Sequence, residues 1–178
     1  MDKFVTTKTT NGTEIMPHIW IDALLAVKPP KGGEIQFSNI REILYALRKL
    51  GLNIRWVTFD TYQSVDSIQI LRKEGFLVGT KSVDTDMNPY EFVKNALYTN
   101  RLSLPNHSKA VIELASLEKD TKKNKVDHPP NGSKDVADAL AGVVYGVTMR
   151  REFWAMHGVP LVQVPEALKA VKENQSIK

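Results

Sequence analysis

The sequence predicts a mixed α/β domain, and three observations carry that prediction. Short β-rich runs alternate with segments whose apolar residues recur at helical spacing, in the order β-β-α-β-α-β-α-(β)-α-α. Residues that start and stop helices bracket most of the helical segments. One β-rich run, "NIRWVTFD" (53–60), has the length and flanks of a buried strand rather than a helix. It ends on Asp60, at the strand end where α/β sheets commonly present functional groups. The 178 residues suffice for one cored domain, placed at 1–150, with 151–178 as a C-terminal tail.

Each element has its own warrant. Residues 2–27 read as two strands: "FVTTKTT" is rich in Thr and Val, "NGTE" supplies an Asn-Gly turn, and "HIWIDALLAV" is a second extended run. "KPPKGG" (28–33) then breaks regular structure. From 39 to 50, Ile40, Ile43, Leu44, Leu47 and Leu50 share a helical face, with Ser38 as cap and Gly51 as stop. After the strand ending at Asp60, "SVDSIQILRKEG" is helical, capped by Ser64 and stopped by Gly75. "FLVGTKSVD" is a strand candidate. "NPYEFVKNALYTN" starts a helix with Asn88 as cap, Pro89 at the first position and Glu91 three residues after the cap. "RLSLP" is a short extended piece, and "SKAVIELASLEKD" is helical again. "TKKNKVDHPPNGSK" (121–134) reads as a surface loop, and a last helix begins near Lys134 and runs toward "RREFW".

Composition bounds the chemistry. With no cysteine, disulfides and thiolate metal sites are excluded, so metal ligands would be carboxylate or imidazole. The longest apolar runs, such as "IDALLAV", are too short to cross a bilayer and no signal peptide is visible. A cytosolic protein without a membrane partner is therefore expected. A net charge of +4 permits contact with a polyanion without demanding it. "GTKS" (79–82) lacks the residue order and second glycine of a phosphate-binding Walker loop, which excludes an ATPase of that class.

The carboxylates are the informative residues. Asp135 and Asp138, three apart, share a helix face beside an apolar stripe of Val136, Leu140, Val143, Val144 and Val147. Asp135 in the first turn suits the helix dipole and needs no further reason. Asp138 sits further along, next to the core-facing stripe, and partly burying two like charges without a cation is costly. A divalent ion resolves that conflict, and hard oxygen ligands suit Mg²⁺ or Mn²⁺. Ala139, Ala141 and Gly142 would let the helix approach a strand end closely. If that end is Asp60, three carboxylates converge as two-metal phosphodiester cleavage requires. Capping is the competing reading for Asp60. His128 reads as a loop histidine, with a role beside the last helix as the alternative. Lys122, Lys123 and Lys125, with Lys134, are candidates for phosphate contact, against a default of solvated charge.

"VTFDTYQSVDSIQILRKEGF", "PYEFVKNALY", "IELASLEKD" and above all "KVDHPPNGSKDVADALAGVVYG" resemble the nuclease domain of tailed-phage terminase large subunits. The resemblance covers residues 3–146 and implies an RNase H-like mixed sheet flanked by helices, in the superfamily of RuvC-type resolvases. It implies a metal-dependent endonuclease that cuts concatemeric double-stranded DNA during genome packaging in the host cytoplasm. Mg²⁺ or Mn²⁺ would be held by Asp60, as the fourth-strand residue, and by Asp135 and Asp138, as the last-helix pair. Implied partners are the ATPase part of the terminase, its small subunit and the portal. The family's first strand carries an early aspartate in a run such as H-x-D-L, upstream of the hairpin that begins here at "FVTTKT". That strand is expected to be lacking, Asp2 and Asp22 are poor substitutes, and activity of the chain by itself is doubtful. The alternatives are a non-catalytic RNase H-like module that binds DNA or docks on a partner, and a RuvC-type resolvase, against which "DHPPNGSK" argues.

Overall fold

The computed structural model describes residues 4–9, 12–60 and 64–149. They form a mixed α/β arrangement of eight strands and five helices. The first described elements are β1 (Phe4–Thr9) and β2 (Gly12–Pro17), an antiparallel pair in which Thr9 is in register with Gly12; Asn11 of the expected Asn-Gly turn lies outside the described residues. Gly12, at φ +127°, adopts backbone that side-chain-bearing residues rarely reach. β3 (Ile19–Trp20) is shorter than the extended run expected there, and residues 21–27 form no regular strand. A strand needs a partner for its backbone groups, and among the described residues these have none beyond the bond from Ile21 N–H to the Ser103 carbonyl.

Helix α1 (Phe37–Lys49) starts two residues before the expected span, so Ser38 lies inside it and Gln36 takes the cap position without a side-chain bond. Gly51, at φ +90°, follows the helix end as the sequence suggests. β4 (Val57–Phe59) runs parallel to β5 (Val78–Thr80), joined by α2 (Val65–Lys73). Beneath them Ile68, Leu71, Phe76 and Val78 form one apolar cluster, with Leu44, Tyr45 and Phe59 packed against it. Arg48 from α1 stacks on the Phe76 ring and donates to the Glu74 carbonyl.

The second cluster holds the other half of the chain. α3 (Asn88–Tyr98) packs against α5 (Asp135–Thr148), with Tyr90, Val93, Leu140, Ala141 and Val144 between them. Asn88 is the first residue of α3 rather than its cap; Met87 takes the cap position, and the Asp86 carboxylate before it accepts from the Asn88 N–H at 2.7 Å. β6 (Leu102–Ser103) runs parallel to β3, and α4 (Ser108–Ser116) follows, capped by His107 through the Ala110 N–H. The helix expected to run on through "SLEKD" ends at Ser116, and within the loop expected over 121–134 only Lys125–Asp127 is strand, the rest being turn and irregular chain. β7 (Glu118–Asp120) pairs antiparallel with β8 (Lys125–Asp127). Asn124, at φ +51°, lets the chain reverse there, and the Asp120 carboxylate accepts from the Lys122 and Lys123 N–H groups.

Among the described residues the strands pair two by two rather than as one sheet. The apolar face of α5 also differs from the stripe expected. Ala137 and Ala141 are buried beside Val136, Leu140 and Val144, whereas Val143 and Val147 are 48% and 43% exposed. No described helix is long and apolar enough to cross a membrane. The tail at 151–178 and Asp2 lie outside the described residues.

Candidate functional site

Asp60, Asp135 and Asp138 line a single open cleft of about 420 Å³, between the end of β4 and the first turns of α5. β4 delivers Asp60 because the strand stops at Phe59, whose carbonyl accepts from the Lys81 N–H. α5 delivers the other two because its first turn begins at Asp135. Lys81 and Gly142 complete the wall. A Cβ on Gly142 would meet only Val83 Cγ1, at 3.7 Å, so here the glycine leaves ordinary room rather than permitting a close approach.

The start of α5 is fixed by a carboxylate that the sequence did not single out. Glu113 on α4 is 2% exposed and accepts from the Val136 and Ala137 N–H groups at 2.8 and 2.9 Å. These are amides that the first turn of any helix leaves without intrahelical acceptors, and the negative charge also suits the helix dipole. Ser133 Oγ and Lys109 Nζ bind the other carboxylate oxygen at 2.7 and 3.3 Å. Burial pushes the Glu113 pKa up, but these donors outweigh it and hold the group below its usual range.

Asp138 is already neutralised. Lys134, one helical turn earlier, donates to both of its oxygens at 2.9 Å and to Asp84 Oδ1 at 2.6 Å. The Tyr90 hydroxyl donates to Asp138 Oδ1 as well. The cation expected beside Asp138 is thus supplied, in this structure, by an ammonium group. Burial raises the Asp138 pKa and the neighbouring Asp84 charge adds to it, and the two donors offset this only in part. Burial likewise draws Lys134 down, but its two carboxylates outweigh that and hold it above the usual lysine value. Tyr90 is pushed up by burial and by Asp138. Lys134, expected as a phosphate contact, is 8% exposed and its ammonium is engaged by Asp84 and Asp138.

Asp135 is open by contrast, its side chain 83% exposed and touched by Lys109 at 3.3 Å. Asp60 is exposed too. Lys122 and Lys123 are exposed on the β7–β8 turn, and Lys125 pairs with Asp127 at 2.6 Å. Lys125 first, then the His128 N–H, lower the Asp127 pKa to about 2. His128 turns back on its own loop, its Nδ1 lying 2.9 Å from the Pro129 carbonyl. In that loop Asn131 sits at φ +69° and the Gly132 N–H bonds the Pro129 carbonyl, a tight turn that fits "PPNG". Asp22 is not among the cleft residues.

Compared with protein-family models, with curated proteins and with solved structures, the chain gives no significant match in any of the three. The function therefore rests on the site. Among the described residues no three acidic or imidazole side chains stand close enough to share an ion. The oxygen donors suit a hard cation. Their present spacing and the Lys134 contact mean that holding one would require Asp60, Asp135 and Asp138 to draw together. Asp84, Tyr90 and Glu113 were missed at the sequence level. The Lys134–Asp138 pair was readable as an i,i+4 contact. The other three reach the site from elements distant in sequence.

Proposed function

We propose that the chain is part of a phage terminase large subunit, with an RNase H-like nuclease fold that cleaves double-stranded DNA. One observation carries the reading: Asp60 just after β4 and Asp135 and Asp138 on α5, chosen from spacing and resemblance, line the same open cleft. Mg²⁺ or Mn²⁺ held by these carboxylates would supply an activated water and charge stabilisation at the leaving oxygen. The chain's own residues do the rest. Glu113 anchors the first turn of α5, so Asp135 and Asp138 leave a fixed helix end toward the cleft. Tyr90 and Lys134 orient Asp138. The exposed Lys122 and Lys123 on the β7–β8 turn offer positive charge to a phosphate backbone, with Lys125 beside them.

The Asp60→Asn variant tests the assignment. Calorimetry with Mn²⁺ should show binding to the parent chain and none to the variant, at an unchanged urea midpoint. Undiminished Mn²⁺ binding by the variant would remove Asp60 from the site.

A second reading is a non-catalytic RNase H-like module that binds DNA or docks on the terminase ATPase part, small subunit or portal. The Lys134 ammonium already neutralising Asp138 favours it. It predicts salt-sensitive DNA binding with no cutting under either metal. A RuvC-type resolvase would require a preference for branched DNA.

A further inference from the structure

A second cavity lies apart from the carboxylate cleft. It encloses about 700 Å³ between the β1–β2 hairpin and the face of α3 that carries Glu91, Asn95 and Thr99. A volume of this size is typical of small-molecule sites.

Its chemistry is unusual at one residue. Arg101 lines the cavity and is 3% exposed, yet every acceptor that holds it among the described residues is neutral. Nε donates to Thr99 Oγ1 at 3.0 Å, Nη2 to Asn95 Oδ1 at 2.8 Å and Nη1 to the Pro17 carbonyl at 3.4 Å. A guanidinium carries five N–H donors. Three are used, and no carboxylate among the described residues forms an ion pair with the group. Burying a charge without a counter-charge costs several kcal/mol, which is why buried arginines are ordinarily paired.

Among the described residues the surroundings do not correct the imbalance. Glu91 is the acid on this wall, and it is engaged by Lys119 at 2.9 Å. Lys8, also on the wall, adds a second positive charge. Thr7, 5% exposed, contributes a buried hydroxyl with no hydrogen-bond partner among the described residues. Two cations, spare N–H donors and an unsatisfied hydroxyl around one cavity describe a receptor for an anion. Arginine forks match oxyanions bidentately, and phosphate above all.

We propose that this cavity binds a phosphate group, held by the two spare N–H donors of Arg101 with Lys8 as the second charge. It lies apart from the carboxylate cleft, with which it shares no lining residue. The phosphate belongs either to a small molecule or to a nucleic-acid backbone, and the test separates the two.

Inorganic phosphate is titrated into ¹⁵N-labelled protein while the arginine Nε–H resonances are followed by NMR. The expected result is a saturable shift of the Arg101 resonance, competed by sulfate and not by chloride. Lys8→Gln, at an exposed rim position that leaves the fold intact, should weaken binding about tenfold, the effect of one charge-assisted hydrogen bond. Arg101→Gln should abolish it, provided the far-ultraviolet spectrum is unchanged. A short DNA duplex that displaces the phosphate assigns the site to a backbone phosphate; failure to displace it assigns the site to a small molecule. No saturable shift, or one indifferent to Lys8→Gln, would overturn the proposal.

Discussion

Replacing Lys134 with Met is the perturbation whose consequence the structure fixes most closely. The ammonium donates to three carboxylate oxygens, one of Asp84 at 2.6 Å and two of Asp138 at 2.9 Å. Its side chain is 9% exposed, against 25% for Asp138 and 46% for Asp84. Breaking a fully buried pair by removing one partner costs about 3–5 kcal/mol. Water can take over at the half-exposed Asp84, and Asp138 keeps its bond from Tyr90, so the expected loss is about 2–3 kcal/mol. Methionine preserves the apolar stem, which isolates the charge from the packing. The assay is urea unfolding followed by circular dichroism at neutral pH. Lys134→Met combined with Asp138→Asn should recover at least about 1 kcal/mol of the loss, because the stranded charge is then gone. A loss below about 0.5 kcal/mol, the usual effect of an exposed lysine, would refute the buried cluster.

Three further outcomes follow from the same geometry. Glu113→Ala should destabilise by about 2–4 kcal/mol in urea unfolding, since two buried amides lose their acceptor. Glu113→Gln, which keeps one carbonyl oxygen, should cost about half as much. Gly142→Ala should raise stability by about 0.5–1 kcal/mol, because a mid-helix glycine is replaced where a Cβ meets only Val83. Asp127 has a folded pKa lowered to about 2, so its contribution is present above the ordinary carboxylate value and is lost as pH falls toward 2. Unfolding midpoints of Asp127→Asn should therefore lie below the parent at neutral pH and converge with it near pH 2. The Asp127 side chain is 38% exposed, so the difference should stay under about 1 kcal/mol.

Local signals were legible where local chemistry decides. The positive φ at Gly12, the Gly51 and Gly75 helix stops and Pro89 in the first turn of α3 all follow from backbone preferences of single residues. Signals failed where a distant partner decides. "SLEKD" continues a helical pattern, yet Glu118–Asp120 pairs with Lys125–Asp127 across a four-residue turn that no periodicity marks. Residues 21–27 are apolar enough for a strand, but the described chain offers them no ladder. Within the cleft, the placement of Asp60, Asp135 and Asp138 was open to sequence reading because each marks an element end. The Lys134 contact with Asp138 was open to sequence reading as well, since the lysine stands four residues away on the same helix face. Glu113, Asp84 and Tyr90 carry no sequence signal, since each acts across 20 or more positions.

The nuclease reading meets its most direct test in a supercoiled-plasmid nicking assay with Mn²⁺ or Mg²⁺, run beside EDTA and Asp60→Asn controls. The account predicts metal-dependent nicking that both controls abolish. A folded, monodisperse sample that leaves the plasmid intact under both metals, or nicking that persists in Asp60→Asn, would contradict it.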